Sequence, residues 1–414
     1  MTNGEMLMNR FIGILGLIVF LGIAYLFSNN KKAINWKLVG FGLALQGVFA
    51  MLVLKVPLGQ KFFAILGKVI DKLLSFTVQG SSLVFGKLLD TNSSMGFIFA
   101  FQVLPTIIFF SALMGILYHL GIMQFFISLI AKGLAKLLGT SGAETTSAVS
   151  NIFLSQNEAP LIIKPYLKKM TSSELFSVMV GGMATVAGSV MAGYVAMGVS
   201  ATHLLAASVM AAPAGLVISK IIIPEIGTPV TKNVVKLEHE KSANNIIEAT
   251  ANAAIEGIQI AITVGGLLIA FVALIAFFNY TLSFIGGFFG AKFLSLNWLF
   301  GKLFSPIAYL MGVPHSDISV AGNLLGQKIV LNEFVAYGNL APLIARKALN
   351  PKTIMILTYA LCGFANFSSI AIQIGSIGSL APEKRGDVAK LGLKAVLAGS
   401  LSTFMTATIA GLLF

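Results

Sequence analysis

Charge is what this sequence has least of. Only 10% of its residues are charged, against 57% hydrophobic, and the mean hydropathy is +0.90. Soluble domains carry roughly a quarter charged residues. There are too few charges here to coat an aqueous surface, so much of the chain must face lipid. Cysteine is almost absent: Cys362 alone excludes a disulfide framework. The histidines His119, His203, His239 and His315 are scattered without metal-ligand spacing and read as helix-end or loop residues. No His-Glu-x-x-His helix exists for a zinc protease. A serine protease would need a serine with a basic partner, and no histidine lies within a plausible membrane-depth motif, so the chain is not read as an enzyme. Acidic residues are scarce as well, which leaves a net charge of +13. That excess does not signal nucleic acid. The basic residues form no stripe with interleaved aromatics; they sit in short clusters between apolar runs, as topology-setting loops do.

What is abundant is long apolar sequence. A span needs about 20 apolar residues, and runs of that kind cover roughly 10–28, 36–56, 95–120, 171–199, 202–224, 257–290, 352–378 and 387–413. The apolar run from Phe11 to Phe27 has no small-residue cleavage site and is expected to be a retained first span. Lys31, Lys32 and Lys37 join the first two spans, which puts that loop in the cytoplasm and the N-terminus outside. Lys132, Lys136, Lys164, Lys168, Lys169, Lys232, Lys236, Lys241, Lys384 and Arg385 then fall inside, although Lys61, Lys68, Lys87, Arg346 and Lys347 fall outside. Residues 57–94 are amphipathic and too charged to span, so an interfacial helix is expected. Residues 225–246 form the only extended polar linker.

Two segments do not fit the count of eight spans. Between Ser141 and Lys169 an apolar stretch is interrupted by Ser-Gln-Asn-Glu-Ala-Pro. Ser141 with Glu144 reads as a capping box opening one helix, and Thr171 with Glu174 opens the next. The stretch is too short to cross twice, which needs about 40 residues, and a single crossing would put Gln156, Asn157, Glu158 and Pro160 at its centre. A re-entrant helical hairpin fits, and such backbone is tolerated only inside protein or along a wet cavity. Residues 299–347 behave likewise, with Gly-Val-Pro-His-Ser-Asp-Ile-Ser-Val-Ala-Gly-Asn-Leu-Leu-Gly as the polar break and Val330–Ile344 as the returning helix. Each hairpin contains an Asn-Glu pair, Asn157-Glu158 and Asn332-Glu333. Each precedes a span broken by small polar residues, Ala184–Ser189 and Cys362–Ser369, and then one further span. The expected fold is therefore an all-α integral membrane protein, with eight transmembrane helices, two re-entrant hairpins in an inverted repeat, and interfacial helices. Discontinuous helices in such repeats meet near the midplane and form a binding site.

Glu158 and Glu333 are the strongest site candidates, because a carboxylate at bilayer depth must face a cavity or a partner; the plainer alternative is a structural cap or a pair with lysine. No cationic side chain is expected beside them, which argues against an anionic solute. Carboxylates, amides and hydroxyls suit a neutral, hydroxyl-rich ligand such as a sugar-bearing molecule. Phe364 and Phe367, flanking Asn366, could stack on a planar group or simply pack between helices. Asn151, Thr185 and carbonyls freed at the breaks offer hard oxygens to a small cation, though such groups also hydrogen-bond across membrane helices routinely.

The segments NIFLSQNEAPLIIKPYL, GGMATVAGSVMAGYVAMGV, AASVMAAPAG, LNEFVAY, LCGFANFSSIAI and GSLAPEKRGDVAKLGLKAVLAG closely resemble the concentrative nucleoside transporter family, and the eight-span arrangement resembles its bacterial members. The resemblance runs most strongly from about residue 95 to the end. It implies a homotrimer in a bacterial inner membrane, each protomer with a scaffold and a moving transport domain, importing nucleosides with sodium and using no organic cofactor. It further implies that Gln156, Asn157 and Glu158 face the nucleobase, that Val190 and Phe364 line the base pocket, and that Glu333, Asn366 and Ser369 bind the ribose. Sodium would take the side chains of Asn151 and Thr185 with the carbonyls of Leu154 and Val186. The family commonly has Gly-Gln-Thr-Glu at the tip, where this chain has Ser155-Gln156-Asn157-Glu158; Ser155 and Ser189 resemble the pyrimidine-preferring branch, hence uridine. Thr185 keeps the hydroxyl where many relatives have serine. On this pattern residues 1–140 hold the N-terminal spans, interfacial helices and part of the scaffold. Residues 141–224 and 299–414 are the two transport-domain repeats, and 225–298 the linker and a long scaffold helix. A proton-coupled permease and, more remotely, a passive channel are the alternatives; channels line pores with rings or filters rather than paired tips.

Overall fold

The computed structural model describes residues 3–90, 97–232 and 243–414, with side chains from residue 10 onward. Lys236, His239 and Lys241, with the rest of residues 233–242 of the expected linker and the end of the expected interfacial segment, lie outside the described residues. The described chain is helical throughout, apart from one isolated bridge between Ser141 and Lys232. Helices are the expected answer for an apolar chain in lipid, since each satisfies its own backbone donors and acceptors.

Helices α1 (Asn3–Leu26) and α2 (Trp36–Leu54) are followed by α3 (Pro57–Phe85). Helix α3 opens on Pro57, whose missing N–H would be unpaired there anyway, and carries the charges Lys61, Lys68, Asp71 and Lys72 along an amphipathic helix. The short α4 (Phe99–Gln102) leads into α5 (Leu104–His119) and α6 (Ile122–Leu138). A first helical hairpin follows. Helix α7 (Gly142–Ser150) enters, residues 151–158 turn, and α8 (Ala159–Ile162) with α9 (Lys164–Leu167) returns. The returning limb is split because Pro160 and Pro165 withhold backbone donors. A helix broken at its middle, α10 (Ser172–Ala184) and α11 (Gly188–Ala196), is followed by α12 (Ala201–Ile222).

The second half opens with α13 (Ile246–Phe288), whose 43 residues run about 65 Å at 1.5 Å per residue. Helix α14 (Leu296–Leu310) packs on the second hairpin, α15 (Ile318–Val330) and α16 (Glu333–Ala345). A second broken helix, α17 (Pro351–Leu361) and α18 (Phe367–Leu380), precedes the final α19 (Arg385–Leu413). The order of hairpin, broken helix and helix thus occurs twice.

Six helices among the described residues are long and apolar enough to cross a membrane, and Arg10–Leu26 and Phe367–Leu380 are shorter apolar helices. They form two classes. Over their most apolar 18 residues, 94% of Ser172–Ala196 and 89% of Ala201–Ile222 is buried, against 17% for α13 and 22% for Phe99–His119. The repeated elements are therefore the centre of the bundle. Helices α5 and α13 pack chiefly on each other at its flank.

Both expected capping boxes form: Ser141 and Glu144 cap α7, and Thr171 and Glu174 cap α10. They are welded together, since Ser141 Oγ donates to Glu174 Oε1 at 2.6 Å and Lys220 Nζ lies 2.6 Å from Glu144 Oε2. The second break is not where the polar residues suggested. Residues 318–326 are helical, and the turn falls at Leu331 and Asn332. Gly322 and Gly326 serve close packing rather than a turn: a Cβ on Gly322 would sit 2.7 Å from the Gly301 carbonyl oxygen. Asp317 is likewise a staple, accepting from the Asn350 N–H at 2.8 Å and the Thr353 hydroxyl at 2.6 Å.

Candidate functional site

The two broken helices cross at their breaks. Helix α10 stops at Ala184, and Thr185 is extended at φ −124, ψ 172. Helix α17 stops at Leu361, and Asn366 caps α18 by accepting from the Ser369 N–H at 2.9 Å. Between them the Phe364 N–H donates to the Thr185 carbonyl at 3.2 Å. Gly363 permits this approach, because a Cβ there would meet the Met183 carbonyl oxygen at 2.9 Å. The first hairpin joins the crossing through the Gly188 N–H, which donates to the Phe153 carbonyl at 3.0 Å.

A continuous polar chain runs through this point. Gln156 Nε2, from the first tip, donates to Ser369 Oγ at 3.1 Å. Asn366 Nδ2 donates to Glu333 Oε2 at 3.0 Å, and the Tyr194 hydroxyl donates to Glu333 Oε1 at 3.2 Å. Glu333 is the first residue of α16, so its carboxylate sits at the positive end of that helix's dipole and is 3% exposed. Residues more than 200 positions apart are thereby brought into one hydrogen-bonded cluster at the heart of an apolar bundle.

The other expected residues lie around this chain. Val190 and Ser189 are buried in the first turn of α11, and Phe364 is half-buried against the core. Asn157 is exposed, and Glu158 turns back on its own tip, accepting from the Ser155 N–H at 2.7 Å. Phe367 is 48% exposed and stands apart from the polar chain.

Three residues escaped the sequence reading. Tyr194 packs edge-on against Phe334 and tilted against Tyr337, with ring centroids 4.8 and 4.3 Å away. Gln373 joins Gln156 from α18. Lys328, fully buried on α15, donates from Nζ to the Ala360 carbonyl at 3.0 Å and to Thr403 Oγ1 at 2.9 Å. The expectation that no cation accompanies the carboxylates is thus corrected: an ammonium lies one turn and a bend before Glu333. Lys328 is a charge and Gln373 an amide within largely apolar helices, which was the available signal.

A second cluster of oxygens lies at the first break. Asn151 Nδ2 donates to the Ser147 carbonyl at 2.8 Å, which turns Oδ1 inward, and that buried oxygen has no hydrogen-bond partner. The Thr185 hydroxyl donates to the Gly181 carbonyl at 2.9 Å and keeps its lone pairs free to accept. Neither the Leu154 nor the Val186 carbonyl accepts a hydrogen bond among the described residues. Asn151 and Thr185 are also the C-caps of α7 and α10, so two helix dipoles present their negative ends here. The donor set is all hard oxygen with an uncompensated member, which fits a small cation.

Interrupted helices that present a carboxylate, amides and hydroxyls inside an apolar bundle define a multi-pass membrane transporter. Comparison with known proteins gives the family. Residues 15–88 and 203–411 match the N-terminal and C-terminal models of the Na+ dependent nucleoside transporters, and residues 100–201 match a model described as nucleoside recognition. The chain is 45% identical over 414 residues to the nucleoside permease NupC of Helicobacter pylori, covering 98% of both. It is 40% identical to the sodium/nucleoside cotransporter 1 of Rattus norvegicus over 98% of this chain and 64% of that protein. The solved structure of CNTnw in an inward-facing substrate-bound state superposes with a TM-score of 0.92 at 45% identity, covering 99% of this chain and 98% of that one. The chain belongs to the Na+-dependent, or concentrative, nucleoside transporter family, and is a transporter rather than an enzyme.

Proposed function

We propose that this protein is a sodium-coupled symporter that imports nucleosides, favouring pyrimidine nucleosides such as uridine. The observation that carries the reading is a shared wall between two groups of polar atoms: consecutive glycines of α10 abut them, Gly181 against Asn151 with its unpartnered Oδ1 and Gly182 against Gln156, which starts the chain through Ser369, Asn366 and Glu333. Glu333, Asn366 and Ser369 take the ribose hydroxyls, exchanging their internal bonds for bonds to the ligand. Gln156 faces the nucleobase, with Asn157 and Glu158 completing the tip and Val190 and Phe364 forming the apolar wall; Ser155 and Ser189 tune base choice.

Sodium binds the side chains of Asn151 and Thr185 and the carbonyls of Leu154 and Val186. Coupling follows from covalent connection. Asn151 and Leu154 lie at the root of the tip, so an ion that fixes them also fixes Ser155–Glu158 and completes the base pocket. Residues 141–224 and 299–414 are then inverted repeats of a transport domain whose hairpins are re-entrant. Eight spans, an elevator-like movement against residues 1–140 and 225–298, a homotrimeric assembly and a bacterial inner membrane complete the proposal. The test is uptake of radiolabelled uridine into proteoliposomes with sodium and proton gradients imposed separately. Uphill accumulation driven by sodium alone is expected. Accumulation driven only by protons would sink the coupling, and equilibration without accumulation would make the protein a channel.

A further inference from the structure

We infer that Gln373 locks the amide of Gln156 so that the site offers the nucleobase a hydrogen-bond donor, selecting bases with a carbonyl at the contacted edge over bases with an amine. This rests on the reading of Gln156 as the residue that faces the base.

Gln373 is 1% exposed and lies on α18, between the first tip and α10. Its Nε2 donates to the Met179 carbonyl at 2.9 Å and to Gln156 Oε1 at 3.2 Å. A backbone carbonyl can only accept, so the amino group of Gln373 must face it. Both of that group's hydrogens are then committed, one to Met179 and one to Gln156. The Gln156 atom they meet must be an acceptor, which fixes its amide with the oxygen toward Gln373 and the nitrogen away. The orientation follows from a carbonyl that cannot turn over rather than from a choice between two similar atoms.

The far side of Gln156 is therefore all donor. One hydrogen of its Nε2 goes to Ser369 Oγ at 3.1 Å, and the other remains for a ligand. Space enforces the arrangement: at Gly182 a Cβ would lie 2.9 Å from Gln156 Cβ and 3.0 Å from Gln373 Nε2, so the two side chains fill the gap that the glycine leaves. Gln373 Oε1 is buried without a partner. The position thus supplies two donors at the cost of an orphaned acceptor, which an apolar residue of similar shape would avoid.

Uracil presents a carbonyl at its 4-position, where cytosine presents an amine. Against a locked donor the carbonyl gains a bond, whereas the amine sets donor against donor and leaves both unpaired. Such a mismatch at a buried site costs about tenfold or more in affinity. Gln373 is on this view a positioning residue, which shapes selectivity without touching the ligand.

The test is equilibrium binding of radiolabelled uridine to the purified full chain in sodium, with unlabelled uridine and cytidine as competitors. Wild type is expected to favour uridine about tenfold. Gln373→Met frees the Gln156 amide to turn and should bring the ratio close to one. Gln156→Glu keeps the bond from Gln373 but replaces the outward donor with an acceptor, so cytidine should now be favoured. A wild-type protein with no preference, an unchanged ratio in a uridine-binding Gln373→Met, or a retained uridine preference in Gln156→Glu overturns the inference. If Gln373→Met binds neither ligand, Gln156→Glu alone decides. Failure of wild type to bind any nucleoside would instead overturn the assignment of the site itself.

Discussion

Replacing Glu333 by Gln changes one atom in the middle of the proposed ribose site and keeps its volume. Glu333 Oε2 accepts from Asn366 Nδ2 at 3.0 Å, and Oε1 accepts from the Tyr194 hydroxyl at 3.2 Å. In the variant the amide oxygen can keep the bond from Asn366, and the tyrosine hydroxyl can rotate to accept from the new amino group. The protein's own network survives, so the fold should too. A ligand hydroxyl that needs the carboxylate loses a charge-assisted bond worth about 1.5–3 kcal/mol, which is roughly a 10- to 150-fold loss of uridine affinity. The assay is equilibrium binding in sodium, run in parallel with 2′,3′-dideoxyuridine, which has the same base and 5′-hydroxyl and lacks the 2′- and 3′-hydroxyls. Dideoxyuridine should bind wild type and variant with about equal, weak affinity. If Glu333→Gln binds uridine within about twofold of wild type, the carboxylate does not hold the ribose. If both ligands lose the same factor, Glu333 is a structural cap and the assignment is wrong.

Asn151→Ala removes the unpartnered Oδ1, so half-saturation by sodium should rise at least several-fold while uridine affinity at saturating sodium stays near wild type; an unchanged sodium titration would take Asn151 out of the coupling site. Glu144→Ala strips Lys220 of the nearer of its two carboxylates, at 2.6 Å and with both side chains at most 6% exposed, and leaves it Glu225 at 3.5 Å. Orphaning a buried charge outright costs about 3–5 kcal/mol; with Glu225 and Ser173 still in reach of the ammonium the loss is smaller, and thermal unfolding followed by size-exclusion chromatography should register it as a lower midpoint. Lys328→Met deletes two ammonium hydrogen bonds, to Ala360 and Thr403, worth about 1.5–3 kcal/mol each. Its midpoint should fall as well, and an unaltered midpoint would mean that burial of the charge costs as much as the bonds return.

Local rules read well in this chain. Two capping boxes, the interruption at Ser155–Glu158 and the breaks near Thr185 and Asn366 each rest on neighbours within a few residues, so composition and spacing were enough to find them. The second turn was misplaced because glycine and small polar residues do two jobs. At Gly322 and Gly326 they admit a neighbouring helix, and only the position of α14 reveals that. Tyr194, Gln373 and Lys328 were passed over because their partners lie on other helices, and no pattern of near neighbours names them.

By itself the sequence determined that this protein is a helical membrane bundle with polar interruptions, three of them placed correctly, because hydropathy and helix-stopping residues are properties of short segments. Which of those points meet was decided by packing. Gln156 reaches Ser369, and Asn366 reaches Glu333, only because two broken helices cross at Gly363 with a hairpin pressed against each. A buried amide or carboxylate must find a partner somewhere, and the tertiary structure alone says where.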